Sequence, residues 1–375
     1  MLLTGPTSAQ NSLYVPGASI AIGGGDVDMR EQHGLDFTQV EVDLAVSMPG
    51  AFRFTIPHAF DVQKSDFFTP SGKPLMPLLG LGQPVRVKMG YGDRAGQTLL
   101  ISGFINQIST SFAEGGAPEI EVSGLDILQV MTFDTTEHRL QDKSMRDAVN
   151  EVARAYSVNL DFSGTAPESI TLDANLQNDL EFLRKVAEQY TAKSKQKWEF
   201  FIRAGSGRDT LVFRPRTDPK TSPVELHWGS DLISFKPDID LGKQVKRFEI
   251  LGWDEVKKEK IVGVATADKG NKGEPSGGDI IAQAFGRTAV RRERRAVKSK
   301  DEADKMAQTE LDKLTNNLMK GEGETFGLPD LLPDTSVKLS GIGNQFNNCY
   351  YVTKTTHRYD GAGYRTKFSV ERPVS

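Results

Sequence analysis

The sequence predicts a mainly β protein with α+β insertions: two similar β-barrels, a small α+β domain and a helical insertion. Three observations lead there. Apolar and polar residues alternate in the first and last thirds. The middle third instead carries helical stripes. Landmarks of the first third recur near the C-terminus at a nearly constant spacing.

The first third reads as strands. Val40, Val42, Leu44 and Val46 alternate with Glu41, Asp43 and Ala45, and Phe52, Phe54 and Ile56 repeat the pattern. Val85 to Met89, Leu99 to Ile108 and Ile120 to Val122 follow, with Gly90 to Asp93 and Glu114 to Pro118 as turns between them. A first barrel is expected over 1–135. Beyond it, Ser144 opens a helix, with Asp147 three residues on. Met145, Ala148, Val149, Val152, Ala153 and Tyr156 form one stripe. A second helix starts at Asn178, with Glu181 in its first turn and Phe182, Leu183, Val186, Ala187 and Tyr190 inward. Trp198 to Ile202 and Thr210 to Phe213 read as a hairpin turned at Gly205 to Gly207, giving a small α+β domain over 136–222.

Strand patterns return at Lys246 to Trp253 and Lys260 to Ala265. Residues 268–279 read as a Gly/Lys/Pro/Ser-rich loop. Ser299 and Glu302 cap a helix carrying Ala303, Met306, Ala307, Leu311, Leu314 and Leu318, stopped by Gly321 and Gly323. Strands resume at Ser336 to Leu339, Cys349 to Thr355 and Thr366 to Val370. The expected second barrel is 223–265 with 327–375, interrupted by an insertion of loop and helix at 266–326.

The repeat rests on spacing. Val87-Lys88-Met89 and Val337-Lys338-Leu339 stand 250 residues apart. Phe104 to Phe112 matches Tyr351 to Tyr359 at an offset of 247, and Gly115 to Val122 matches Gly363 to Val370 at 248. Upstream, Gln39-Val40 is paired with Gln244-Val245 at the shorter offset of 205, as an extra segment in the second copy would produce.

Composition narrows the function. Lys plus Arg is 46 against 50 Asp plus Glu, a net charge of −4, which argues against retention on nucleic acid by phosphate neutralisation. One cysteine, Cys349, excludes an internal disulfide framework and a multi-Cys zinc site. No apolar run is long enough to span a membrane as a helix. The N-terminal residues lack the basic and apolar regions of a signal peptide, so folding in a reducing cytoplasm is expected.

No constellation for catalysis, cofactor or metal stands out. His33, His58, His138, His227 and His357 form no close ligand pair, and Cys349 sits in a strand pattern. Gly80-Leu81-Gly82 and Gly23-Gly24-Gly25 lack the flanks of a phosphate loop. In Trp228-Gly229-Ser230-Asp231 the serine directly follows the glycine, so no nucleophile elbow is present. The sharpest charge feature is basic: Arg287, Arg291, Arg292, Arg294, Arg295, Lys298 and Lys300, diluted by Glu293 and Asp301. With no aromatic interleaved, it reads as a solvated segment or a protein contact rather than a nucleic-acid site. Tyr190, Trp198 and Phe200 could stack on sugar, but core packing of the α+β domain is the preferred reading.

Asn178 to Tyr190 resembles the "SDLEFLRRLAEEYG" helix of the phage late control D family. Trp228 to Phe235, Leu251 to Asp254, the 299–318 helix, Gly327 to Asp334, Tyr351 to His357 and Gly363 to Phe368 match that family's later landmarks in order. Position 334 is Asp where the family often has Gly. The resemblance covers about 175–372. It implies tube-like barrels and a baseplate hub of a contractile injection system, similar to the hub part of type VI secretion spike proteins. The hub would be a homotrimeric adaptor between a hexameric tail tube and a separate trimeric spike, since no fused spike follows before Ser375. Baseplate wedge proteins and the tape measure protein are further expected partners. A virion or extracellular injection particle is the expected location, and no enzymatic activity is expected. The alternative is a tail-associated cell-wall hydrolase or peptidoglycan-binding module.

Overall fold

The computed structural model describes residues 15–372 apart from 113, 115, 138–143, 165–175, 195, 217–223, 243, 255–256, 268–275 and 316–318. His138 and most of the expected 268–279 loop lie outside the described residues. The protein is mainly β, with its strands gathered about one large sheet.

That sheet is built from two halves of the same strand order. In the first, strands run Pro16–Ile22, Pro84–Tyr91, Gln97–Ser111, Glu119–Leu125, Ala51–Ile56 and Gln39–Ala45. In the second they run Val224–His227, Ser336–Ser340, Asn348–Asp360, Gly363–Glu371, Met319–Phe326 and Leu232–Ile239. The halves meet where Gln39–Ala45 pairs antiparallel with Asn348–Asp360. Each long strand carries a bulge at the equivalent place: the register shifts between Ile105 and Gln107 in one and between Val352 and Lys354 in the other. A bulge bends and twists a strand, so both copies of the meander turn at the same point. One difference stands out. Pro16–Ile22 pairs antiparallel with its neighbour, whereas Val224–His227 pairs parallel.

Alternation places Val40, Val42, Phe52, Phe54, Ile120 and Val122 in one buried cluster. Leu226, Val337, Leu339, Tyr350, Val352 and Phe368 form the corresponding cluster of the second half. At Gly124 a Cβ would stand 2.0 Å from the Phe52 ring, so only glycine lets that ring lie flat on the strand.

The 136–222 region has its own core. Helix Met145–Ala155 is capped by Ser144, whose side chain accepts from the Asp147 amide. It packs with helix Asp179–Ser194 and the antiparallel pair Trp198–Arg203 and Thr210–Pro215. Asn159–Phe162 adds a parallel strand to that pair.

The second half differs from the sequence expectation in three ways. Arg247–Asp254 and Glu259–Thr266 do not join the large sheet. They pair with each other and with Val290–Arg294, and bury Phe248 and Ile250 against Ala303, Ala307 and Leu311 of helix Lys300–Thr315. The interruption therefore begins after Ile239, not at 266. Its end also shifts: Met319–Phe326, whose glycines suggested a helix stop, is a strand of the large sheet. Gly323 is needed there because a Cβ would stand 2.3 Å from the Phe368 ring. The counterpart of Gln39–Ala45 is thus Leu232–Ile239 rather than the Gln244-Val245 pair.

Candidate interaction face and the junction beneath it

The face of the large sheet opposite its cores is polar across both halves. In the first half it carries Arg53, Glu41 and Asp43, since Val40, Val42, Phe52 and Phe54 occupy the buried face. Across the seam, Glu41 registers with Arg358, and Asp43 with Thr356. The charges alternate from strand to strand and pair: Arg53 with Glu41 at 2.5 Å, and Lys354 with Asp43 at 3.4 Å. The Thr356 hydroxyl donates to Asp43 at 2.5 Å. Further along, Lys236, Glu322, Glu324, Lys354 and Lys367 line an open groove of about 380 Å³. Such exposed pairs contribute little to stability. Their effect is to keep a broad sheet face wetted and free of apolar patches.

On the same face, where Tyr351 registers with Glu371, a buried ionic cluster joins the 136–222 region to the second half. Glu199 is 1% exposed. It accepts from Arg216 Nη2 at 2.8 Å and lies 3.1 Å from Lys197 Nζ. The Tyr351 hydroxyl stands 2.5 Å from Glu199 Oε2 and 2.9 Å from Asp334 Oδ1, between the two carboxylates. Arg216 also lies 4.0 Å over the Tyr351 ring and pairs with Glu371 at 3.0 Å. Burial by itself would raise the Glu199 carboxyl, but Arg216 and Lys197 outweigh it and hold the group below its usual range. Burial, reinforced by Glu199, pushes the Tyr351 phenol well above its usual value.

Asp334 has a φ of 66°, the left-handed region that favours glycine. Its carboxylate binds Arg214 and faces Tyr351, which accounts for Asp at a position where the resembled family often has Gly. A second buried carboxyl, Asp126, accepts from the Gly50 amide at 2.8 Å and the Leu128 amide at 2.9 Å. Burial lifts it to about 7.

The flagged residues are scattered. His357 is fully buried, with Nδ1 2.8 Å from the Tyr364 hydroxyl, and burial pushes its ring down to about 4. His227 Nδ1 faces the Ser340 hydroxyl at 3.1 Å. Cys349 is half-buried opposite Lys338. Ser230 lies in a turn after Gly229, whose φ is 87°. Tyr190 and Trp198 stack at 4.7 Å inside the α+β core, so they offer no platform to a sugar. Among the described residues, no group of three or more His, Cys, Asp or Glu could hold a metal ion. No described helix is long and apolar enough to cross a membrane. Sequence reading missed the Glu199 cluster. Its one local signal was a glutamate alternating with Trp198 and Phe200, on the strand face turned away from the α+β core.

A family model described as the Alg8 N-terminal domain matches residues 36–360. The chain belongs to the Alg8 N-terminal domain family. That is a different description from the late control D family whose motifs the sequence resembles. No curated protein matches this member of the Alg8 N-terminal domain family. Solved structures do. The 43 kDa tail protein of prophage MuSo2 from Shewanella oneidensis has a TM-score of 0.69 at 15% identity, covering 96% of this chain and 98% of that one. A tail protein from Neisseria meningitidis MC58 has a TM-score of 0.66 at 12% identity, with coverage of 96% and 97%. The E. coli c3393 protein, described as a type VI secretion component similar to T4 bacteriophage gp27 and gp5, has a TM-score of 0.55 at 11% identity. It is covered to 77%, against 95% of this chain. The fold is therefore that of phage tail proteins.

Proposed function

We propose that this chain is a structural hub of a contractile injection apparatus, a homotrimer joining a hexameric tail tube to a trimeric spike. The observation that carries the reading is the duplication: two six-stranded halves of one strand order, with equivalent bulges, fused into a single sheet. If each half is one tube-like barrel, three chains present six such modules around an axis. A six-fold tube can then stack on one end, while the other end keeps three-fold symmetry for the spike. The continuous charged face would line the bore, wetted and unattractive to passing apolar segments. The tail-protein fold of the structural relatives supports this reading.

In this role the protein transmits load and breaks no bond. The relevant chemistry is subunit interfaces of the obligate class, burying more than about 2,000 Å² each. Tube, spike and wedge proteins would be its partners, with the tape measure protein inside the bore, and the assembled particle its location. Assignment to the late control D hubs in particular is part of this proposal.

Light scattering on the purified protein, alone and mixed with its tube protein, tests the reading. A species near three times 41.2 kDa in either sample is expected. A monomer in both, with no ring in negative stain, overturns it.

A further inference from the structure

The three-stranded sheet formed by Glu259–Thr266, Arg247–Asp254 and Val290–Arg294 has two unlike faces. Helix Lys300–Thr315 covers one. On the other, Leu251 stands directly across from Val262, with Trp253 and Val264 beside them. Trp253 is 53% exposed and Val262 36%. Leu251 and Val264 are half-buried. A sheet with one wet face turns polar residues outward. Here four apolar side chains occupy those positions.

The rim is cationic. Arg292 and Arg294 register with Glu249 and Leu251, so they share this face, and Lys260 registers with Trp253. Glu249 is taken by Arg247 at 2.8 Å and Arg292 at 2.7 Å. Arg294 and Lys260 hold no ion pair among the described residues. Arg291 and Arg295, by contrast, share Glu293. The basic cluster of the sequence thus divides into a neutralised set and a set bordering an apolar patch.

We propose that this face is a docking site for an acidic amphipathic helix of a partner protein. The patch is two strands wide, the footprint that the i, i+3, i+4 and i+7 anchors of one helix fill. The uncompensated Arg294 and Lys260 select acidic flanks. A second copy seated face to face would oppose cation to cation. A nucleic acid would meet the arginines but leave Leu251, Val262 and Val264 without an apolar partner. The site lies outside the large sheet and does not depend on the hub reading.

The test titrates the full-length protein into a fluorescein-labelled peptide of about 18 residues, five helical turns, with Leu at the anchor spacing and Glu elsewhere. A peptide with Lys for every Glu and a single-stranded DNA of equal length serve as competitors. Saturable binding of the acidic peptide is expected by anisotropy. Val262→Asp and Arg294→Glu should each weaken it roughly tenfold, the scale of a lost anchor. Raised salt should weaken it, and the basic peptide should bind far less. Trp253→Ser replaces Val262→Asp if circular dichroism shows the latter misfolded. No binding of the acidic peptide, binding indifferent to these substitutions, equal binding of the basic peptide, or tighter binding of the DNA overturns the proposal. So does self-association that Val262→Asp abolishes.

Discussion

The Tyr351 hydroxyl meets the Glu199 carboxylate at 2.5 Å across 152 positions of sequence. The contact ties a strand of the α+β region to a strand of the second half, and its partners are buried. Tyr351→Phe keeps the ring beneath Arg216 and removes only the donor. The expected loss is about 1–3 kcal/mol, the penalty for a buried carboxylate short of one hydrogen bond. It should appear as a lower urea midpoint at unchanged slope. An unchanged midpoint would mean that Arg216 and Lys197 alone satisfy Glu199.

Asp334 offers a ranking. Asp334→Gly relieves the left-handed backbone but loses the Arg214 pair. Asp334→Ala loses the pair and keeps the strain, which is worth about 1 kcal/mol for a residue with a Cβ. Alanine should therefore be the less stable of the two variants in thermal unfolding. The reverse order would show that this backbone is not under strain.

Stability should depend on pH through His357. Its folded pKa of about 4 lies below the ordinary 6.5. The unfolded chain takes up the proton first, so the contribution is whole above pH 6.5 and is lost as pH falls towards 4. Glu199, also held low, adds a loss below the usual carboxylate range. Asp126 runs the other way. Raised to about 7, it contributes fully below 3.8 and loses that contribution as pH rises through 7. Between pH 6.5 and 4 the two contributions oppose each other, so His357→Gln should lower stability at pH 7.5 yet remove the His357 loss in that window and let the Asp126 gain appear as a rise on acidification. A pH profile of the variant parallel to that of the parent protein would show that His357 does not titrate in this way.

The bulge at Thr353 absorbs one extra residue: the register passes directly from Val352 opposite Val370 to Lys354 opposite Ser369. Deleting Thr353 therefore closes a regular ladder with Val352, Thr355 and His357 still inward, whereas inserting one alanine between Thr355 and Thr356 would bring Thr356 and Arg358 inward in place of His357. The deletion should leave soluble protein with native-like circular dichroism, and the insertion should yield insoluble protein. The reverse outcome would contradict this.

Gly124→Ala should cost about 1–3 kcal/mol, because the new methyl meets both the Phe52 ring and the Phe104 carbonyl. Gly207→Ala, in open space, should stay within about 0.5 kcal/mol. Equal melting temperatures for the two variants would refute the packing account.

Much of the fold was legible because period and capping are local. Val40, Val42, Phe52 and Phe54 announce their strands, and Ser144 and Asp147 mark a helix start that the structure keeps. Met319–Phe326 was not legible, since its glycines answer to rings of Phe235 and Phe368 rather than to chain flexibility. Arg247–Asp254 alternates like any strand, and nothing in that alternation says which sheet it joins. Its destination is set by Ala303 and Ala307 more than fifty residues away. The Glu199 cluster draws on five separated segments, so one glutamate could not identify its partners. The apolar patch around Leu251 and Val262 appears only once the opposite face is known to be covered.

The pairing of Gln39–Ala45 with Asn348–Asp360 has a consequence for synthesis. At about 5–20 residues per second, the earlier strand leaves the ribosome some 15–60 s before its neighbour exists. Throughout that interval its outer edge is open to stray pairing, and the glutamate and aspartate along it serve as guards. A prematurely terminated chain never covers that edge, so incomplete products remain recognisable to quality control.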